Sequence, residues 1–361
     1  MAKVIPLFSK NFVHCSEVTN IDLSLDDLGG FCSNLLPINT PLKPAIYLQV
    51  LKFFEALDVE PVEVNSDGSG FLLACLMAGK RGTAICNSDL WYLIQSGVAE
   101  HPDLPRSVLI LQQFNQKAVS LSGYLEQFKP FYSPQTFAQL VSFRAFLASL
   151  PKATKEFFMY VVCLILHGDG NGYLSSPTPS NYAPQWQEQA KFIIQSRSFP
   201  SDRDLLSRVL RKVSQIYSIR QHFPNLCKLR VQRLHQTFDR SVLVFVNLVR
   251  NNCAAPVAQW LRCWWFGVSI SHSAKFWEGF YNSDFSMQIS RVALNLVGSQ
   301  GYICFLVDSQ QRDNFLTMFL PSFSSELELV RRIEFSAPRT AIGKQFSSFQ
   351  GVSAIICRKI S

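Results

Sequence analysis

Val59–Cys86 reads VEPVEVNSDGSGFLLACLMAGKRGTAIC, and its order of residue types decides the fold. Val59, Val62 and Val64 are β-branched and suit a strand. Asp67-Gly68-Ser69-Gly70 follows at once. Glycines there permit a tight turn and a close backbone approach to a ligand. Phe71–Ala78 is an apolar helix, and Gly79 is placed to end it. Thr83–Cys86 resumes a strand. Strand, glycine turn, helix and strand open a doubly wound α/β sheet, whose ligand lies beyond the carboxyl end of the first strand. A glycine pair after a strand also occurs in folds that bind nothing, so the turn alone assigns no ligand.

Upstream, residues 1–40 carry mixed strand and turn signals, and Pro41–Leu57 has helical spacing. Downstream, Ser88–Glu100 is a further helix, and HPDLP at His101–Pro105 breaks the pattern. Val108–Val119, Pro134–Leu150 and Lys155–Leu166 then read as long apolar helices. That is too much helix for one crossover, so residues 106–235 are expected to be a helical insert. It would divide a sheet domain into residues 1–105 and 236–361. His167–Pro184, HGDGNGYLSSPTPSNYAP, is the most turn-rich stretch, and such loops often carry function. His167 and Tyr173 are its candidate ligand contacts, although a lone His is more often structural. Gln185–Arg220 is helical and basic. Phe238–Leu248 is a buried-strand candidate, followed by WLRCWWFG at Trp260–Gly267, which suits a core helix better than a stacking platform. Ser283–Leu296 is a helix, and Gly301–Asp308, Leu327–Phe335 and Val352–Arg358 are strands.

Hydrophobic residues make up 48% of the 361 and charged residues 17%, which excludes a disordered chain. The longest apolar run, Phe157–Leu166, is too short to span a bilayer. The first residues, MAKVIPLFSK, lack the apolar core of a secretory signal. Ten cysteines are scattered without C-x-x-C pairs, as expected of a reducing cytoplasmic compartment and of a chain without a metal site. The net charge of +8 is concentrated: residues 187–240 hold eleven Lys or Arg against four acidic residues. Concentrated positive charge points to a polyanion, most commonly nucleic acid; a solvated helix face is the alternative. Arg203, Arg208, Arg211, Lys212 and Arg220 are the candidate contacts.

The chain has no G-x-S-x-G nucleophile turn and no Walker lysine after the glycine turn. A nucleotide-like cofactor on that turn needs an acceptor for its ribose at the end of the second strand. Asn87 and Asp89 stand there, and Asp89 equally suits a helix cap. Asp67, Gly68, Ser69, Gly70, Asn87 and Asp89 are the candidate cofactor-binding residues.

Four stretches in sequence order resemble the site-specific DNA methyltransferases that methylate an exocyclic amino group of adenine or cytosine with S-adenosylmethionine. Pro41–Ala56 with Asp67–Gly70 and Gly79-Lys80-Arg81 is similar to that family's approach helix and cofactor turn. Leu166-His167-Gly168, Gly172–Ser175 and Pro177-Thr178-Pro179 are similar to the loop closing its helical insert. Trp260–Trp264 with Phe266-Gly267, and Ser290-Arg291-Val292 through Gly301-Tyr302 and Val307-Asp308, are similar to the segments after its catalytic loop. The resemblance implies a Rossmann-like class I methyltransferase fold: a mostly parallel seven-stranded sheet with a helical insert. It implies S-adenosylmethionine as cofactor and DNA as partner.

The family's motifs are altered here. Its cofactor strand runs into an acid, a Pro and a Phe, where this chain has Val64, Asn65 and Ser66. Its ribose-binding acid falls at Cys86 or Asn87. Its catalytic loop is Ser, Asp or Asn, two prolines and an aromatic; the corresponding stretch is Val246-Asn247-Leu248-Val249. Asn247 is the one polar candidate. The expectation is a degenerate methyltransferase that retains nucleic-acid binding with impaired catalysis. Two alternatives stand beside it: an active enzyme using Asn247 with Trp264 or Phe266 as stacking ring, and an interaction module that has lost both ligands.

Overall fold

The β-α-β predicted from Val59–Cys86 forms, and it lies inside a larger sheet. The structure is a computed structural model describing residues 18–22, 35–36, 42–57, 59–67, 69–100, 103–116, 124, 127–168, 170–176, 186–197, 199–221, 229–233, 241–249, 256–269, 283–336 and 351–360. The strands are β1 (Val18–Asp22), β2 (Val62–Val64), β3 (Gly82–Cys86), β4 (Leu229–Arg233), β5 (Ser241–Asn247), β6 (Val297–Asp308), β7 (Leu327–Ser336) and β8 (Val352–Lys359). They hydrogen-bond in the order β1-β7-β8-β6-β5-β2-β3-β4. β8 runs antiparallel to β6 and β7, and every other pairing is parallel.

Counted from β2, the strands β4-β3-β2-β5-β6 stand in the doubly wound order 3-2-1-4-5. Seven strands were expected and eight are described, in a mixed sheet. The edge strand β1 is additional. β4 falls inside the stretch 106–235 expected to be insert, so the helical excursion closes before Leu229.

Ten helices matter here: α1 (Pro44–Lys52), α2 (Phe71–Met77), α3 (Asp89–Ala99), α4 (Leu104–Gln112), α5 (Pro134–Ala148), α6 (Lys152–Ile165), α7 (Trp186–Ser196), α8 (Leu205–Arg220), α9 (Pro256–Phe266) and α10 (Ser283–Leu296). Gly79 ends α2 as predicted. Its φ is +66°, and the Lys80 N–H bonds the Cys75 carbonyl at 2.9 Å, which satisfies an orphan carbonyl of the last turn.

The central parallel strands β2, β3 and β5 are buried on both faces, as strands covered by helices on either side are. Val62, Val64, Val244, Val246 and Phe305 face α10 and the turns at 315–323. Leu243, Phe245, Leu306 and Ile356 face a larger core shared with α1, α2, α3, α5, α6, α8 and α9. The helices between β3 and β4 therefore use the core of the sheet and have no separate one. Trp265, fully buried, donates its indole N–H to the Met159 carbonyl at 2.9 Å and ties α9 to α6. Among the described residues no helix is long and apolar enough to cross a membrane.

Candidate functional site

The order of strands reverses between β2 and β5, and in open α/β sheets ligands bind beyond the carboxyl ends of strands at such a point. Three segments meet there: Asn65–Gly70 after β2, Asn87-Ser88 after β3, and Asn247–Val249 at the end of β5. Their side chains bond chiefly to one another. The Asn65 amide N–H donates to the Asn247 carbonyl at 2.7 Å, and the Asn87 amide donates to Asn65 Oδ1 at 2.5 Å. Asn65 adopts φ +64°, a left-handed conformation that Asn tolerates better than most residues.

Asp67 lies at the centre of this crossing. Its carboxylate accepts the Asn87 N–H at 3.2 Å and the Ser88 N–H at 3.1 Å, bracing the turn after β2 against that after β3. Burial pushes its pKa from 3.8 up to about 7, against the lowering effect of those N–H donors. Asn247 is equally committed. It is buried, its Nδ2 reaches the Asp67 carbonyl at 3.4 Å, and its Oδ1 accepts the Val249 N–H at 3.1 Å. Asp89 does not cap α3. Ser88 does, accepting the Trp91 N–H at 3.2 Å, while Asp89 pairs with Arg233 at 2.7 Å.

The glycine turn is shaped from beneath by a residue that the sequence reading passed over. Glu63 points to the face opposite its neighbours Val62 and Val64, into the aromatic core. There Tyr47, Phe71 and Phe245 meet edge-on or tilted at 5.4–5.6 Å between centroids. The Tyr47 hydroxyl donates to one Glu63 oxygen; the hydroxyls of Ser66 and Ser69 donate to the other at 2.5 and 2.6 Å. Three donors make a buried carboxyl tolerable. Burial still raises its pKa from 4.5 to about 7, with the three hydroxyls opposing. Gln95, on α3, holds the same turn from the side, donating to the Ser66 and Ser69 carbonyls at 3.3 and 3.1 Å. An isolated acid between two valines, with serines three and six residues on, was the available signal.

Gly70 serves packing. A Cβ there would lie 2.6 Å from Pro44 Cδ and 2.7 Å from Pro44 N, at the start of α1, and the Gly70 N–H bonds the Leu42 carbonyl at 2.8 Å. Gly68 lies outside the described residues. Among those described, no carboxylate in this crevice is free to hold a ribose or a methionyl ammonium: Glu63 faces the core, Asp67 is taken by backbone donors and Asp89 by Arg233. The residues present do not fit S-adenosylmethionine. No group of metal-ligating residues occurs among the described residues.

The basic candidates separate into two sets. Arg203 and Arg220 are buried. Arg203 donates to the Tyr173 carbonyl, and Arg220 donates to the Val98 and Glu100 carbonyls at 2.6 and 2.8 Å, closing the last turn of α3. Arg211 is exposed, and Arg208 and Lys212 are half-buried. Arg208 also reaches the Asn171 carbonyl at 3.2 Å. His167 bonds Ser175 Oγ at 2.8 Å, and burial together with the nearby Arg262 pushes its pKa down to about 4, so it is neutral. Its role is to hold the loop. Trp264 stacks on Phe137 at 5.5 Å, and Trp260 on Phe128 at 5.0 Å, so the aromatic run of α9 packs as a core helix.

No family model and no curated protein matches the sequence. A solved structure from Listeria monocytogenes, described as "a putative class i s-adenosylmethionine-dependent methyltransferase", is similar at 12% identity. It covers 75% of this chain and 88% of that chain, with a TM-score of 0.26. A superposition that loose carries no assignment for this chain.

Proposed function

We propose that this is a class I methyltransferase-like protein, a degenerate relative of the amino-DNA methyltransferases, that binds nucleic acid and does not transfer methyl groups. The sheet carries the reading. Its doubly wound order with one antiparallel strand, β8, lodged between β6 and β7 is the arrangement of class I methyltransferases. The switch point then falls where that fold binds its cofactor.

The state of Asn247 supports the loss of catalysis. An exocyclic amine is a poor nucleophile because its lone pair is delocalised into the ring. An enzyme must flip the base out, stack it and accept the amine's hydrogens. Among the described residues of the loop, Val246–Val249, the one side-chain oxygen is that of Asn247, and it already accepts the Val249 N–H. Val249 and Leu248 are buried aliphatics and give no stacking face. Nucleic-acid binding is supported by the basic excess of residues 187–240, of which Lys191, Arg197 and Arg211 are exposed.

The test is DNA binding measured as a function of salt, with methyl transfer from a labelled donor assayed in parallel. We expect affinity to fall steeply with salt through counterion release, and to drop for all sequences alike when Arg208, Arg211 and Lys212 become Ala. Unchanged affinity in that variant would remove this patch from the reading. Transfer that disappears in Asn247→Ala would establish an active enzyme instead.

A further inference from the structure

We infer that the nucleic acid this protein holds is single-stranded, and that Phe199 is the ring on which one of its bases stacks; the inference rests on the nucleic-acid reading above. Phe199 lies in the link 197–204 between α7 and α8, and 68% of its surface is exposed. A single exposed ring is ordinary. Its surroundings distinguish this one.

Arg197, two residues before it, is exposed and has φ +54°. Its N–H bonds the Ile194 carbonyl at 3.3 Å and ends α7. That left-handed position after a helix is normally given to Gly, because other residues are strained there. Arg197 thus puts an exposed cation two residues from the ring in sequence, and strain of this kind clusters at functional sites. Ile194, 63% exposed, and Leu210, 40% exposed, are further apolar side chains at the surface of α7 and α8. Lys191 and Arg211 are exposed on the same two helices. The acids of the link are Asp202 and Asp204, and Asp204 is engaged as the N-cap of α8, accepting the Ser207 N–H at 2.7 Å.

Aromatic and apolar groups interleaved with cations suit unpaired bases joined by phosphates. A duplex keeps its bases stacked on one another and admits such a ring only where a base step is unstacked, at a cost in free energy that a single strand avoids. A duplex reader would need the cations without the phenyl group.

The experiment is fluorescence anisotropy with labelled oligothymidylate and with a mixed-sequence duplex of the same length, on the full chain. We expect oligothymidylate to bind more tightly than duplex. Phe199→Ala should weaken oligothymidylate binding about tenfold, leaving duplex binding and the salt slope unchanged. Phe199→Trp should retain the affinity and show indole quenching on binding. Arg197→Ala should instead lower the salt slope by about one. Equal loss on both probes, or none on oligothymidylate, would overturn the stacking role while leaving nucleic-acid binding intact. Absence of binding to either probe at low salt would overturn the underlying reading as well.

Discussion

Individual side chains at the switch point are mostly occupied with one another. Glu63 and Asp67 are the clearest cases, because both are buried carboxyls with pKa raised to about 7. A raised folded-state pKa favours the protonated form, so the folded protein binds more protons than the unfolded chain. The stabilising contribution of Glu63 is therefore complete below its unfolded value of 4.5 and is lost as pH rises through about 7. Glu63→Gln keeps the shape and removes the titration. We expect the melting temperatures of wild type and Glu63→Gln to diverge progressively from pH 4.5 to 7 in the variant's favour, then to run parallel. A constant difference across that range would mean that Glu63 does not titrate there. Asn247 is structural on the same grounds. Asn247→Ala strands the Val249 N–H, and we expect a loss of about 1–3 kcal/mol in urea unfolding. Wild-type stability in that variant would show the amide to be free for other work.

Among the elements, the α1–turn–α2 junction depends on Gly70. Its missing Cβ is what lets Pro44 approach. Gly70→Ala should displace the start of α1 and lower stability by about 1–3 kcal/mol, read from the urea midpoint. An unchanged midpoint would show that α1 can move at no cost. β2, α2 and β3 were legible in sequence because strand valines, turn glycines and the stop at Gly79 each have a local cause. β4 was not: LRVQR alternates cations with aliphatics inside a basic stretch, and only its pairing with β3 makes it a strand. β1, with the sequence VTNID, is a short edge strand whose Val18 and Asn20 are exposed, and its partner β7 lies some 300 residues away. Gly70 was recognised as necessary, yet its neighbour is Pro44 where a ligand was expected. Sequence alone does not say which atoms approach a glycine. Glu63 was missed because an acid in a strand ordinarily faces water, and the hydroxyl of Tyr47 that receives it comes from another element.

For the whole molecule, one continuous core joins the sheet to helices between β3 and β4, and α8 packs its apolar face into that core. Arg220 belongs to that connection. With its guanidinium on two carbonyls at the end of α3, Arg220→Lys should destabilise the fold, since a lysine offers no planar fork to bridge both. Nucleic-acid binding measured on the remaining folded protein should be unchanged; a selective loss of binding would place Arg220 on the interface after all. The central proposal is a methyltransferase fold whose cofactor crevice has been closed by its own amides and carboxylates. Isothermal titration with S-adenosylmethionine tests it most directly. We expect no saturable heat at neutral pH, because Glu63 faces the core and Asp67 and Asp89 are already bonded. Tight binding at one equivalent would contradict the proposal and mark the crevice as a working cofactor site.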